Sequence, residues 1–354
     1  MGRLTAILSL PGSLIGVLYG YATGTTQRKG SLTKVITDAL GAHLSGKLSV
    51  HDIRFLGAAS PIDQTMTKAI KSLASPVPPG YNEPYEGSGF SARWALKAPE
   101  RTPSDPILLI LHGGGYFLPA LGFHVHAALA IARLSDVKNL SVLFLDYRLA
   151  PENPYPAPLQ DAALLYKQLT EVDKNSNIIL FGDSAGGNLA LFLLQHFQKP
   201  HPACYALKEP IVKPKTVLLV SPWVDLEPNP VGSFDPKHNT DVLSYAALDY
   251  WAKTYCADRE TRRSSYVSAA QADAELLRKA VQGINVLLLY GEVEVLHDAC
   301  AALAEKIGSG AVVAIEPEGT HDSLLTAKIP SPSTLNNSFP FKTIVNYLNE
   351  VSGK

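Results

Sequence analysis

Six short apolar runs, each ending at or beside Gly, Pro or a polar residue, recur through the later part of the chain. They are ILLILH (107–112), LSVLFLDY (140–147), NIILFG (177–182), TVLLVSP (216–222), NVLLLYG (285–291) and AVVAIE (311–316). Their hydrophobicity is continuous rather than alternating, as expected of parallel strands covered on both faces. Helical spacing fills the gaps at 124–134, 159–169, 185–197, 298–307 and 341–351. Alternation of this kind predicts a doubly wound, mostly parallel α/β sheet. Residues 225–282 break the alternation with a long, aromatic-bearing, partly helical insertion.

The first 90 residues lack strand patterning. Ser31 and Thr33 offer caps for a helix over 31–44, in which Leu32, Val35, Ile36, Ala39 and Leu40 share one face. A second helix is predicted over 61–73, stopped by the proline-rich stretch 75–80. The expected organisation is a helical cap segment over 1–90 and a main domain over 91–354, with 225–282 as a second cap element.

The amino terminus carries Arg3 and an apolar stretch from Leu4 to Tyr21. Pro11, Gly12 and Gly16 interrupt it, and it falls short of the roughly 20 unbroken apolar residues of a membrane span. A lid helix is the expectation. Contact of residues 1–22 with a membrane surface and a cleaved signal are the other two readings.

Composition narrows the field. Lys and Arg number 31 against 32 Asp and Glu, so no basic excess exists to neutralise nucleic-acid phosphates. Hydrophobic residues make up 46% and charged residues 18%, which supplies a core and excludes disorder. Cys204, Cys256 and Cys300 are odd in number and widely spaced, so neither a disulfide framework nor a zinc site is expected. They fit a reducing, cytoplasmic compartment. Oligomeric state stays open, a homodimer included.

Two motifs suggest chemistry. Gly182-Asp183-Ser184-Ala185-Gly186 fits G-x-S-x-G between an apolar run and a helical one, the context of a nucleophile elbow. Glycines are needed there because the turn holds serine in a strained conformation that neighbouring Cβ atoms would obstruct. HGGGY (112–116) leaves another strand, and its glycines let backbone N–H groups approach a substrate oxygen. Gly113 and Gly114, with the N–H of Ala185, could form an oxyanion hole, each donor typically worth about 3–4 kcal/mol. His112 is read as fixing this loop. No lysine or G-x-G-x-x-G accompanies the glycines, so a phosphate loop is disfavoured.

HGGGY, DYRLAPE (146–152) and GDSAGGNLA (182–190), in that order, resemble the hormone-sensitive lipase-like branch of the α/β-hydrolase fold. The resemblance runs from about Pro106 to the carboxyl end, with SPWVDL (221–226) similar to a family strand end. It implies a triad in the order Ser, acid, His. By that alignment Glu294 is the acid, although the family more often has aspartate, and Asp298 is its rival. His321 in PEGTHDSLL (317–325) is the base, with Asp322 where glycine is more usual. Asp146, Arg148 and Glu152 are read as a buried polar network, and Asp183 as a brace. Tyr116, Phe117, His124 and Trp251 are candidate pocket residues; His126, Tyr250 and Tyr255 are weaker ones.

The implied activity is hydrolysis of a short or medium acyl ester of a hydrophobic alcohol through an acyl-enzyme, with no metal or organic cofactor required. Transacylation or lactone formation at the same site stays open, because the acceptor is chosen by the cap. A non-catalytic receptor is disfavoured by the joint presence of Ser184, Glu294 and His321.

Overall fold

In the computed structural model the six runs form strands and a seventh strand joins them. The structure describes residues 3–28, 31–57, 59–73, 76–235 and 240–353. Met1 and Gly2 of the amino-terminal stretch, and Ser75 of the proline-rich stretch, lie outside these ranges.

The strands are β1 (Ala92–Leu96), β2 (Ile107–Leu111), β3 (Ser141–Leu145), β4 (Ile178–Asp183), β5 (Thr216–Val220), β6 (Asn285–Gly291) and β7 (Val312–Glu316). They form one sheet in the order β1-β3-β2-β4-β5-β6-β7. All neighbours are parallel except β1, which lies antiparallel to β3 at the edge. Ile107, Leu109 and Leu111 of β2 point into one core, Leu108 and Ile110 into the other. Both faces are therefore dry, and each such side chain stabilises the fold by about 1.5–3 kcal/mol.

Helices α1 (Arg3–Thr23), α2 (Leu32–Ser45), α3 (Val50–Leu56) and α4 (Ile62–Ser72) precede the sheet. Next come α5 (Gly122–Leu134), α6 (Ala157–Lys167), α7 (Ala185–Gln198), α8 (Tyr245–Tyr255) and α9 (Arg259–Arg262). The last four are α10 (Ala274–Val281), α11 (His297–Ile307), α12 (Ser323–Thr326) and α13 (Phe339–Ser352). Residues from α6, α7, α10 and α11 build the core on one face of the sheet, and residues from α4, α5 and α13 the core on the other.

Four features refine the expected organisation. The amino-terminal helix α1 continues through Pro11, Gly12 and Gly16 and packs along α2, where Ser9 Oγ meets His43 Nε2 at 3.2 Å and accepts from Lys47 Nζ at 2.8 Å. The expected cap of residues 1–90 is too long. In α4, Ile62, Met66 and Ala69 are buried beneath the sheet, so α4 belongs to the main body. The expected second cap of 225–282 is likewise narrower, because Leu277, Ala280 and Val281 of α10 are core residues. Helix α3 was not predicted; it is held by a capping box between Ser49 and Asp52.

Candidate active site

The carboxyl ends of β2, β4, β6 and β7 converge on one rim, and α2, α3 and the segment entering α8 cover it. Between rim and cover lies a cavity of about 460 Å³, lined by Leu44, Leu48, Ile53, Phe117 and Trp251 among others, with Ser184 and His321 in its wall.

Ser184 follows β4 directly and precedes α7. Its backbone is left-handed, at φ 49° and ψ −116°, a strain tolerated because the surrounding turn is fully determined. The motif glycines make this possible. A Cβ at Gly186 would lie 1.8 Å from the carbonyl oxygen of Leu111, and one at Gly182 would lie 2.4 Å from that of Gly186. Side chains larger than hydrogen cannot enter the elbow.

His321 lies beyond β7 in the loop before α12. Its Nε2 is 2.9 Å from Ser184 Oγ, across 137 residues of chain. Glu294, in the loop after β6, is fully buried in the same cluster. Its Oε2 accepts from Ser221 Oγ at 2.6 Å and from the Gly291 N–H at 3.1 Å, while Oε1 faces Cys300 Sγ at 3.9 Å. Burial pushes the Glu294 carboxyl up to about 8, against the opposing pull of His321 and with a further push from Asp241. The expected bond from Glu294 to the other ring nitrogen is not made here: among the described residues His321 Nδ1 has no partner. Asp298, the rival acid, is an exposed helix-start residue that accepts the Ser233 N–H at 2.8 Å.

One member of this cluster carries no motif. Asp241, from the insertion, is fully buried. Its carboxylate accepts N–H groups from His321 and Val295 at 2.8 Å and from Val242 at 2.7 Å. It thereby ties the loop of the base to the loop of the acid, and the Arg28 guanidinium donates to its carbonyl at 2.7 Å. No feature of the local sequence signals it. Burial pulls the His321 pKa down, but the carboxylates of Asp322, Glu294 and Asp241 outweigh this and hold it above its ordinary value.

The glycine loop departs from expectation at Gly113, whose N–H is already given to Asp183 Oδ2 at 2.9 Å. Gly114 and Gly115, at φ 108° and 60°, line the cavity instead. Their N–H groups, like that of Ala185, have no acceptor among the described residues. His112 behaves as a loop fixer: it is fully buried, its Nδ1 lies 2.8 Å from the Gly113 carbonyl oxygen, and its ring stacks on Tyr147. Burial lowers its pKa to about 4, which keeps it neutral.

Of the candidate pocket residues, Phe117, His124 and Trp251 line the cavity. Tyr116 does not. It is fully buried, donates to Asn188 Oδ1 at 2.5 Å and stacks on Tyr255. The DYRLAPE segment is less buried than expected, since Arg148 and Glu152 are exposed. Arg148 Nε donates to the buried Asp161 at 2.9 Å. Arg54 of α3 donates to Glu152 at 2.8 Å and to the Phe117 carbonyl at 2.7 Å. That guanidinium fastens the cap to the end of the glycine loop.

A strained serine at a strand-to-helix elbow, a histidine in contact with it and free amides beside both define a serine hydrolase on an α/β scaffold. The pattern of the alpha/beta hydrolase fold family matches residues 108–322. A Schizosaccharomyces pombe protein named "Putative steryl acetyl hydrolase mug81" is 30% identical over 94% of this chain and 91% of its own. A Streptomyces hygroscopicus "Acetyl-hydrolase" is 34% identical over 60% of this chain and 67% of its own. An esterase structure from the bacterial hormone-sensitive lipase family superposes with a TM-score of 0.67 at 24% identity, covering 92% of this chain and all of that one. The chain belongs to the hormone-sensitive lipase-like branch of the α/β-hydrolase family and is a carboxylesterase-like serine hydrolase.

Proposed function

We propose that the protein hydrolyses short acyl esters, acetate foremost, of a bulky hydrophobic alcohol through Ser184, His321 and Glu294. The contact between Ser184 Oγ and His321 Nε2 at 2.9 Å, beneath an apolar cap, carries this reading. His321 takes the serine proton as Oγ attacks the acyl carbonyl, since an unassisted hydroxyl is a poor nucleophile. The oxyanion is received by the amides of Gly114, Gly115 and Ala185. Glu294, one shell behind the ring, stabilises the imidazolium. Their direct hydrogen bond is expected to form on substrate binding, because catalytic hydrogen bonds are often loose in unliganded enzymes. His321 then protonates the departing alcohol, and water activated by the same ring frees the acyl group.

The substrate class is supported by the cavity lining and by the names of two relatives, one a steryl acetyl hydrolase and one an acetyl-hydrolase. A cavity of about 460 Å³ holds a ligand of drug or sterol size, and few polar groups interrupt its wall. Two assays test it. On p-nitrophenyl esters, kcat/KM is expected to be at least tenfold higher for acetate than for decanoate. A steryl acetate dispersed in detergent is expected to compete. A preference for long acyl chains, or indifference to the steryl ester, would refute the assignment.

Membrane-surface contact through residues 1–22 belongs to the same reading. No charged residue lies between Arg3 and Arg28, and Ile15, Leu18 and Tyr19 of α1 are 67%, 45% and 69% exposed. None of the described helices is long and apolar enough to cross a membrane. An interfacial helix would bring the cap to a dispersed lipid substrate. Co-sedimentation with phosphatidylcholine vesicles, lost on deleting residues 1–22, is the expected result; equal recovery of both forms would count against it. A reducing, cytoplasmic setting accords with three free cysteines.

A further inference from the structure

The residue after the base is unusual in its placement. Asp322 has a left-handed backbone, φ 49° and ψ 41°, which turns its carboxylate back across the His321 ring. Its Oδ2 lies 3.2 Å from His321 Nε2, the same nitrogen that meets Ser184 Oγ at 2.9 Å. Among the described residues Asp322 alone places a carboxylate in ion-pair contact with that ring. Its other oxygen, Oδ1, is buried without a partner in the cavity wall. Its N–H donates to Ser221 Oγ at 3.3 Å, the hydroxyl that also serves Glu294.

We infer that Asp322 is a restraining partner of the base: it grips the protonated imidazole by the nitrogen that must be empty to receive the serine proton, and so sets the acid limb of activity. This rests on His321 being the base of the proposed hydrolase. One nitrogen cannot donate a proton to Asp322 and accept one from Ser184 at the same time. The resting pair therefore favours an imidazolium that is poised to protonate a leaving alcohol but unable to start the attack. Catalysis begins when the Nε2 proton leaves to solvent, which the neighbouring carboxylate opposes.

The surroundings reinforce the effect rather than cancel it. Glu294 from the β6 loop and Asp241 from the insertion add negative potential at the ring. Asp183 at the elbow and His124 of α5 face Asp322 with opposite effects on its carboxyl. From the cap, Lys34 Nζ donates to Asp38 at 2.8 Å and to Thr320 Oγ1 at 3.4 Å. That cation is already engaged by Asp38. Asp322 differs from the other carboxylates in touching the reactive nitrogen itself.

Asp322→Asn and Asp322→Gly separate this role from a structural one. Both residues accept a left-handed backbone at least as well as aspartate, and both keep the N–H that bonds Ser221. The His321 imidazole is followed by proton NMR across pH, its signal assigned with His321→Gln, and kcat/KM for p-nitrophenyl acetate is measured over the same range. In both variants the NMR midpoint and the acid limb are expected to fall by one pH unit or more. Activity on the acid side of the limb then rises about tenfold for each unit. A midpoint that stays or rises, or a limb that stays while the midpoint falls, overturns the inference. Loss of turnover at every pH also overturns it, because it would make Asp322 indispensable rather than restraining. If the wild-type enzyme cleaved no ester yet the midpoint fell, the grip on the ring would stand and the hydrolase reading would fail instead.

Discussion

Ser184→Ala is expected to lower ester turnover by about 10⁴-fold or more, since removing the nucleophile of such a site leaves only binding and oxyanion stabilisation. The fold should be almost unaffected. The strain at φ 49° is imposed by neighbours, and alanine keeps the same Cβ. The backbone contacts that define the elbow also persist: Ser184 N–H donates to the Val220 carbonyl at 2.9 Å, and the Ser184 carbonyl accepts from Asn188 and Trp223. What disappears is one hydroxyl that holds the base at 2.9 Å. The expected pattern is a thermal midpoint within about 2 °C of wild type, no labelling by a fluorophosphonate, and no burst of p-nitrophenol. Residual activity within tenfold of wild type would move the nucleophile elsewhere.

Strands β2 to β6 were legible because they are buried on both faces almost throughout, so that hydrophobicity ran on without alternation; β7 was legible from its apolar run although much of it is exposed. The same logic explains the strand that escaped. In β1 Arg93 interrupts the five residues, so no continuous run was there to see. Helix faces were also readable, but what a helix packs against was not. α4 has the amphipathic spacing of any surface helix, and only the structure puts Met66 and Ala69 under the sheet rather than over the site. Apolar periodicity states that a face must be covered, not by what.

At the site, residues inside motifs were legible and residues held by burial were not. Ser184, Glu294 and His321 stand in recognisable positions along the chain, and the structure gathers them at one rim. The glycine loop shows the limit of spacing. HGGG announces free amides, yet which of them is free depends on Asp183, whose carboxylate takes the Gly113 N–H and leaves Gly114 and Gly115 facing the cavity. Tyr116 adjoins that loop in sequence but turns into the core to reach Asn188. Asp241 is the reverse case: nothing in its local sequence marks it, and its role follows from the three N–H groups that converge on it.

Glu294→Gln and Asp298→Asn together decide which carboxylate supports the base. Glutamine fills the same volume and can keep an acceptor toward Ser221 Oγ and the Gly291 N–H, so the loop should hold while the charge is lost. Above pH 8, where the Glu294 carboxyl is ionised, a neutral replacement cannot stabilise the imidazolium that forms during attack, and turnover there is expected to fall by about 10³–10⁴-fold. Asp298→Asn, at an exposed helix start, should alter kcat/KM by less than about twofold, because a screened surface charge is worth little. The reverse ranking would transfer the acid role to Asp298. A second readout comes from linkage. Burial holds the Glu294 carboxyl at about 8, above its ordinary 4.5, so between those values the native state binds more protons than the unfolded chain. Stability attributable to this group is therefore full below the ordinary value and declines as pH rises through the folded one. Glutamine does not titrate, so the drop in thermal midpoint between pH 5 and pH 8.5 should be smaller in Glu294→Gln than in wild type. An equal drop in the two proteins would show that Glu294 is already ionised at pH 5, and would assign the decline to another buried group, His321 first among them.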